Sequence, residues 1–156
     1  WLTASIGRRC TLRRWLYPDT RAGPASTTEA TPRAVVGAAA AVGWGGRVAV
    51  FPAGERWPED AHGDRSLRPA AEDLVGAGAI LDHLPGRRSP EAELAVAAFR
   101  AVRGRLPAFL LASGSGREHA AKGTEGDVAL AAQLDVSDFA PRLVDGAYVA
   151  GAGDAP

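Results

Sequence analysis

The feature that most constrains this chain is the apolar spacing across residues 67–84. Leu67, Ala71, Leu74, Gly78 and Leu81 fall at i, i+4, i+7, i+11 and i+14, one face of a 3.6-residue period. Ser66 supplies a capping hydroxyl, and Pro69 stands in the first turn, where a missing N–H costs little. Pro85-Gly86 closes the run. The spacing predicts an amphipathic helix over 67–84 that must bury its stripe against another element.

The partners follow from the same kind of reading. Residues 34–42 read as a short Ala-rich helix, broken by the glycines at 43–46. Residues 47–52, Arg-Val-Ala-Val-Phe-Pro, are β-formers and read as a strand. Helix, turn, strand, loop, helix is the order of an α/β domain. A second helix is predicted from Ser89-Pro90-Glu91, with Ser89 as N-cap and Leu94, Ala98, Ala101 and Val102 as its buried stripe, closed by Gly104. Residues 106–112 are apolar, and periodicity leaves strand and helix both open. Ser115-Gly116-Arg117-Glu118 forms a capping box for a short helix ending at Gly123. Thr124-Glu125-Gly126-Asp127 repeats the device with Asp for Glu, before a helix carrying Val128, Ala131, Ala132 and Leu134. Residues 143–149, split by Asp145-Gly146, read as a hairpin. Residues 1–32 show neither period and read as a divergent or disordered head, 33–149 as a partial α/β domain, and 150–156 as a loose tail.

Composition limits what function can be read from charge. Ala, Gly, Pro and Arg fill 80 of 156 positions, the mark of GC-rich coding. Basic residues are 17 Arg and Lys122 alone, so arginine abundance is not a sign of phosphate recognition. The chain has no Met, even at position 1, and reads as a fragment. Its net charge of zero divides into about +5 over residues 1–50 and about −5 beyond. The basic head has no interleaved aromatic platform and no binding motif, so nucleic acid is the least favoured partner. No apolar run approaches the roughly 18 residues that span a bilayer, and no signal peptide is legible, so membrane association is not expected and the expected compartment is the cytoplasm. Cys10, the single cysteine, excludes an internal disulfide and any multi-cysteine zinc site.

Carboxylates carry most of the chemical information. The strand at 47–52 runs into Gly54-Glu55-Arg56-Trp57, and in an open parallel sheet ligands sit beyond the strand ends. Glu72 points away from the apolar stripe, whereas Asp73 shares a side with Ala77 and Ile80. A carboxylate on an apolar flank requires a partner, a metal or a raised pKa. Glu55 and Asp73, with Glu72, would make an oxygen-rich site suited to magnesium. Arg56, Arg68 or Arg117 could then hold an anionic substrate. Ser113-Gly114-Ser115-Gly116 opens a helix whose amides could cradle an anion, and its simpler reading is a capped helix start. The histidines, His62, His83 and His119, lie in no familiar catalytic motif, and there is no nucleophile elbow, P-loop or dinucleotide fingerprint.

Gly54-Glu55-Arg56-Trp57 and Glu72-Asp73-Leu74-Val75-Gly76-Ala77-Gly78, followed by Ser115-Gly116-Arg117-Glu118 and residues 125–136, together resemble the 2-phosphosulfolactate phosphatase family. The resemblance runs from about Arg33 to Val149. It implies a magnesium-dependent phosphatase of coenzyme M biosynthesis with a three-layer α/β/α fold and a mixed sheet. Glu55, Arg56, Glu72 and Asp73 occupy its motif positions. The expected assignments are Glu55 and Asp73 catalytic, Glu72 and Asp73 on magnesium, and Arg56, Arg68, Ser113, Ser115 and Arg117 on a small anionic phosphate ester, with a homodimer left open. Family members carry an N-terminal Asp-x-Leu-Arg-Ala segment that this chain lacks, so the fold is expected as an incomplete copy. The alternative is a truncated, non-catalytic α/β domain that keeps an anion-binding loop.

Overall fold

Pro69 decides where the first major helix begins. In the computed structural model, which describes residues 2–5, 49–52, 54–57, 66–136, 139–144 and 147–152, that helix (α1) is Ala71–His83 rather than 67–84. A residue before proline is disfavoured in the helical region, so Arg68 stays extended. Leu67–Arg68 instead forms a strand, β4, antiparallel to β3, Glu55–Arg56, with Glu55 opposite Arg68 and Arg56 opposite Leu67. Ser66 therefore does not cap α1; Ala70 is the N-cap and makes no side-chain cap bond. At the other end the Arg88 guanidinium donates to the carbonyls of Leu81, Asp82 and Leu84, satisfying acceptors that a helix end leaves open.

The face that α1 buries also differs from the leucine stripe. Leu67 and Leu74 are exposed, and the buried residues are Asp73, Val75, Gly76, Ala77, Gly78, Ala79 and Ile80. The cause is close packing on the next helix, α2, Pro90–Val102. A Cβ on Gly78 would lie only 2.1 Å from the Ala95 carbonyl oxygen, so the two backbones approach too closely for leucines at the contact. Helix α2 starts as its sequence indicates, with Ser89 Oγ accepting from the Ala92 amide and Pro90 in the first turn. Its buried face is Ala95, Val96, Phe99 and Val102; of the expected stripe only Val102 is buried, Ala98 is half-buried, and Leu94 is 71% exposed. Phe99 is the reason: its large ring takes the inward direction and turns Leu94 out.

A 3-10 turn, Arg103–Arg105, leads into α3, Leu106–Ala112, so the apolar run is helical. Next come α4, Gly114–Ala121, and α5, Glu125–Ala131. The cap of α4 is Ser113, whose Oγ accepts from the Gly116 amide at 3.0 Å; Ser115 lies inside the helix. Thr124 makes no side-chain cap to α5 and donates its hydroxyl to the His119 carbonyl. Val75, Ala79, Phe99, Val102, Leu106, Leu110, Val128 and Ala132 form one core, with Phe109 and Leu134 against it. It is therefore built by α1, α2, α3 and α5, with Ala132 just beyond the last helix.

Strand β2, Ala49–Pro52, lies within the predicted strand and pairs antiparallel with β1, Leu2–Ser5, in the register Leu2↔Pro52 to Ser5↔Ala49. Residues 2–5 thus have regular structure in a stretch without a legible period, and the only pairing described for β2 is not the parallel one assumed above. Strands β5, Phe139–Val144, and β6, Ala147–Ala152, form the expected hairpin, longer than 143–149 and reaching into the tail. The helix read at 34–42, its glycine break and the Asp145-Gly146 turn lie outside the described residues. The described chain is mostly helical with small two-stranded antiparallel sheets, compatible with a mixed α/β class. Among the described residues no helix is long and apolar enough to cross a membrane.

Candidate functional site

Gly54 ties the segment after β2 to the start of α1. Its backbone amide donates to Asp73 Oδ2 at 2.6 Å, across 19 positions of sequence. Asp73 is only 2% exposed, and this bond supplies a partner that a carboxylate on an apolar flank requires. Its place in the first turn of α1 also sets it at the positive end of the helix dipole. Gly54 has φ +71, and a Cβ there would sit 3.2 Å from the Arg68 carbonyl oxygen, so the turn calls for glycine.

The turn leads directly into β3 and so to Arg68. Glu55 and Arg68 are cross-strand partners. The Arg68 guanidinium lies over the Trp57 ring, 5.2 Å from its centroid, and its side chain is 12% exposed. Its two terminal nitrogens fork onto Glu118 of α4, Nη1 to Oε1 at 2.5 Å and Nη2 to Oε2 at 3.4 Å. The hydrogen bond from Arg68 holds the Glu118 carboxyl below the usual glutamate range, and the charges of Arg68, Lys122 and His119 add to this. The same bond raises Arg68 above its ordinary value against the opposing effect of burial, helped by the charges of Glu118, Glu55 and Glu72. A side chain at Gly114 would begin 3.9 Å from Arg68 Nη1, so the start of α4 abuts the same guanidinium.

The expected residues therefore divide. Glu55, Arg68, Glu72 and Asp73 meet where β3, β4 and α1 join, and the Ser113-Gly114 start of α4 abuts Arg68 there. Ser113 is engaged as a cap, and Ser115 is half-buried within α4. Arg117 Nη1 donates to the Ala112 carbonyl at 3.0 Å. Arg56 is exposed on β3 opposite Leu67. Glu118 and Trp57 are the contributors that residue spacing missed. Glu118 reads locally as a capping-box member, and nothing in spacing links it to an arginine 50 positions earlier. His62 lies outside the described residues; His83 Nδ1 is 2.9 Å from the Ala79 carbonyl and His119 Nδ1 is 2.9 Å from Thr124 Oγ1.

Among the described residues, no three His, Cys, Asp or Glu side chains cluster as a metal-binding group. One carboxylate oxygen, Glu72 Oε2, is nonetheless buried without a hydrogen-bond partner among the described residues. Magnesium commonly takes one or two protein carboxylates and fills its octahedron with water and substrate phosphate. Glu72 and Asp73, the expected pair, fit that mode, with the protein's share among the described residues short of a closed cage. No family model, curated protein or solved structure matches this chain.

Proposed function

We propose that this chain is a magnesium-dependent phosphatase of a small acid's phosphate monoester, 2-phosphosulfolactate by motif resemblance. Its fold would be a three-layer α/β/α domain with a mixed sheet, and its compartment the cytoplasm. The observation that supports this reading is the meeting, at Arg68, of three motifs far apart in sequence: Gly54-Glu55-Arg56-Trp57, Glu72-Asp73 and the Ser113–Glu118 segment. Arg68 offers a planar fork suited to two phosphate oxygens. Glu55, Glu72 and Glu118 each place negative charge against the Arg68 guanidinium, which opposes a phosphate dianion. A divalent cation on Glu72 would offset the excess and supply Lewis-acid charge neutralisation at the phosphoryl oxygens. Glu55, next to the turn fixed by Gly54 and Asp73, accepts the proton of the attacking water in this reading. Asp73 keeps that turn in place from beneath.

The test is phosphate release from 2-phosphosulfolactate and from generic phosphate esters, with magnesium and with a chelator. Release that requires magnesium supports the proposal; no release under either condition overturns it. A second reading, a truncated, non-catalytic α/β domain with an anion-binding loop, is favoured by the Ser113-Gly114 start of α4 lying beside Arg68. Calorimetric titration showing phosphate binding without turnover distinguishes it.

A further inference from the structure

We infer that Glu118 is an internal competitor for the anion seat at Arg68, a carboxylate that an incoming anion must displace. The inference rests on the reading of Arg68 as the anion-holding residue of the phosphatase proposed above. The two partners are unequally placed. Arg68 has a 12% exposed side chain and is braced across the Trp57 ring, whereas Glu118 is 50% exposed. The cation is thus fixed in the structure and the carboxylate reaches it from the solvent side. Forked oxygens on a guanidinium occupy the positions that two oxygens of a phosphate or carboxylate ligand would take. Displacing Glu118 is eased because its half-exposed carboxylate regains water when it swings away, and its second contact, Nη2 to Oε2, is long at 3.4 Å. Gly114, with no side chain beside Nη1, leaves space for the exchange.

The arrangement gives selectivity as well as competition. A ligand with one weakly paired oxygen does no better than Glu118 and is excluded. A phosphate dianion with several oxygens, helped by a cation at Glu72, outcompetes it. Glu118 acts through Arg68 and is a specificity-determining residue of the seat rather than a catalytic one.

The experiment is calorimetric titration of the full 156-residue chain with inorganic phosphate in the presence of magnesium, comparing wild type, Glu118→Gln and Arg68→Ala, with circular dichroism to establish folding. The expected result is phosphate affinity about threefold to tenfold higher in Glu118→Gln, on the order of an exposed ion pair, and lost in Arg68→Ala. Glu118→Ala, on a helix that tolerates alanine, gives the same tightening and replaces the Gln variant should that one not fold. A merely structural Glu118 predicts the opposite sign, since loosening α4 weakens the seat. Wild type binding phosphate with equal or lower affinity in both Glu118 variants overturns the competitor role and leaves the seat standing. Folded wild type and folded Glu118 variants that all fail to bind phosphate overturn the seat and the competitor together.

Discussion

The Gly54 amide and the Asp73 carboxylate, 2.6 Å apart, join a strand-end turn to the first turn of α1 beneath a nearly closed surface. Removing the acceptor leaves a partly buried N–H without that bond, a loss of about 1–3 kcal/mol. Urea unfolding of Asp73→Ala should show that loss, and Asp73→Asn, which keeps an acceptor oxygen, should recover much of it. Equal stability of wild type and Asp73→Ala would mean that the bond does not anchor the turn.

Glycine contacts give a prediction with a built-in change of sign. A Cβ at Gly78 would meet the Ala95 carbonyl oxygen at 2.1 Å, and one at Gly116 would meet the Leu110 carbonyl oxygen at 2.0 Å, both backbone atoms that cannot swing aside. Gly78→Ala and Gly116→Ala should each cost about 1–3 kcal/mol or more by overpacking. Gly126, in α5 with nothing within 4 Å of a Cβ, should instead stabilise by about 0.4–1 kcal/mol when replaced by Ala. Thermal melts of the three variants compare these signs directly.

The rotation of α2 is equally open to test. Phe99 is 1% exposed and central to the core, so Phe99→Ala should lose about 3–5 kcal/mol. Leu94 is 71% exposed, and Leu94→Ala should change stability by no more than about 0.5 kcal/mol. Comparable losses at the two positions would restore the leucine stripe as the buried one.

Arg68 and Glu118 make a pH-dependent contribution. The folded Glu118 pKa is depressed by the Arg68 hydrogen bond, so the stabilisation is present above the unfolded glutamate value, about 4.3, and is lost as pH falls through the lower folded value. The stability difference between wild type and Glu118→Gln should therefore be constant near neutral pH and close below the ordinary glutamate range. Denaturant melts from pH 7 to pH 3 measure it, and a difference that instead widened toward low pH would reverse the sign of the linkage.

Local chemistry was legible because it depends on neighbours in sequence. Ser89-Pro90 caps and starts α2, helices follow within 114–121 and 125–131 although neither expected capping box forms, and residues 143–149 belong to a hairpin. The reading of Asp73 as a carboxylate on an apolar side in need of a partner also follows from its position relative to Ala77 and Ile80, and all three are buried. Pro69 carried a second meaning that the helical period concealed: it holds Arg68 extended, and the pairing of β4 with β3 then takes Leu67 out of the helix.

By itself the sequence determined where α2 starts, which residues are charged, and which glycines permit tight turns. The tertiary structure decided which face each helix buries and what its charges meet. Those outcomes depend on the shape of elements distant along the chain: Ala95 against Gly78, Phe99 displacing Leu94, Glu118 reaching back 50 positions to Arg68. A helical period identifies a side of a helix, but backbone approach and side-chain volume at the contact select the side that is buried.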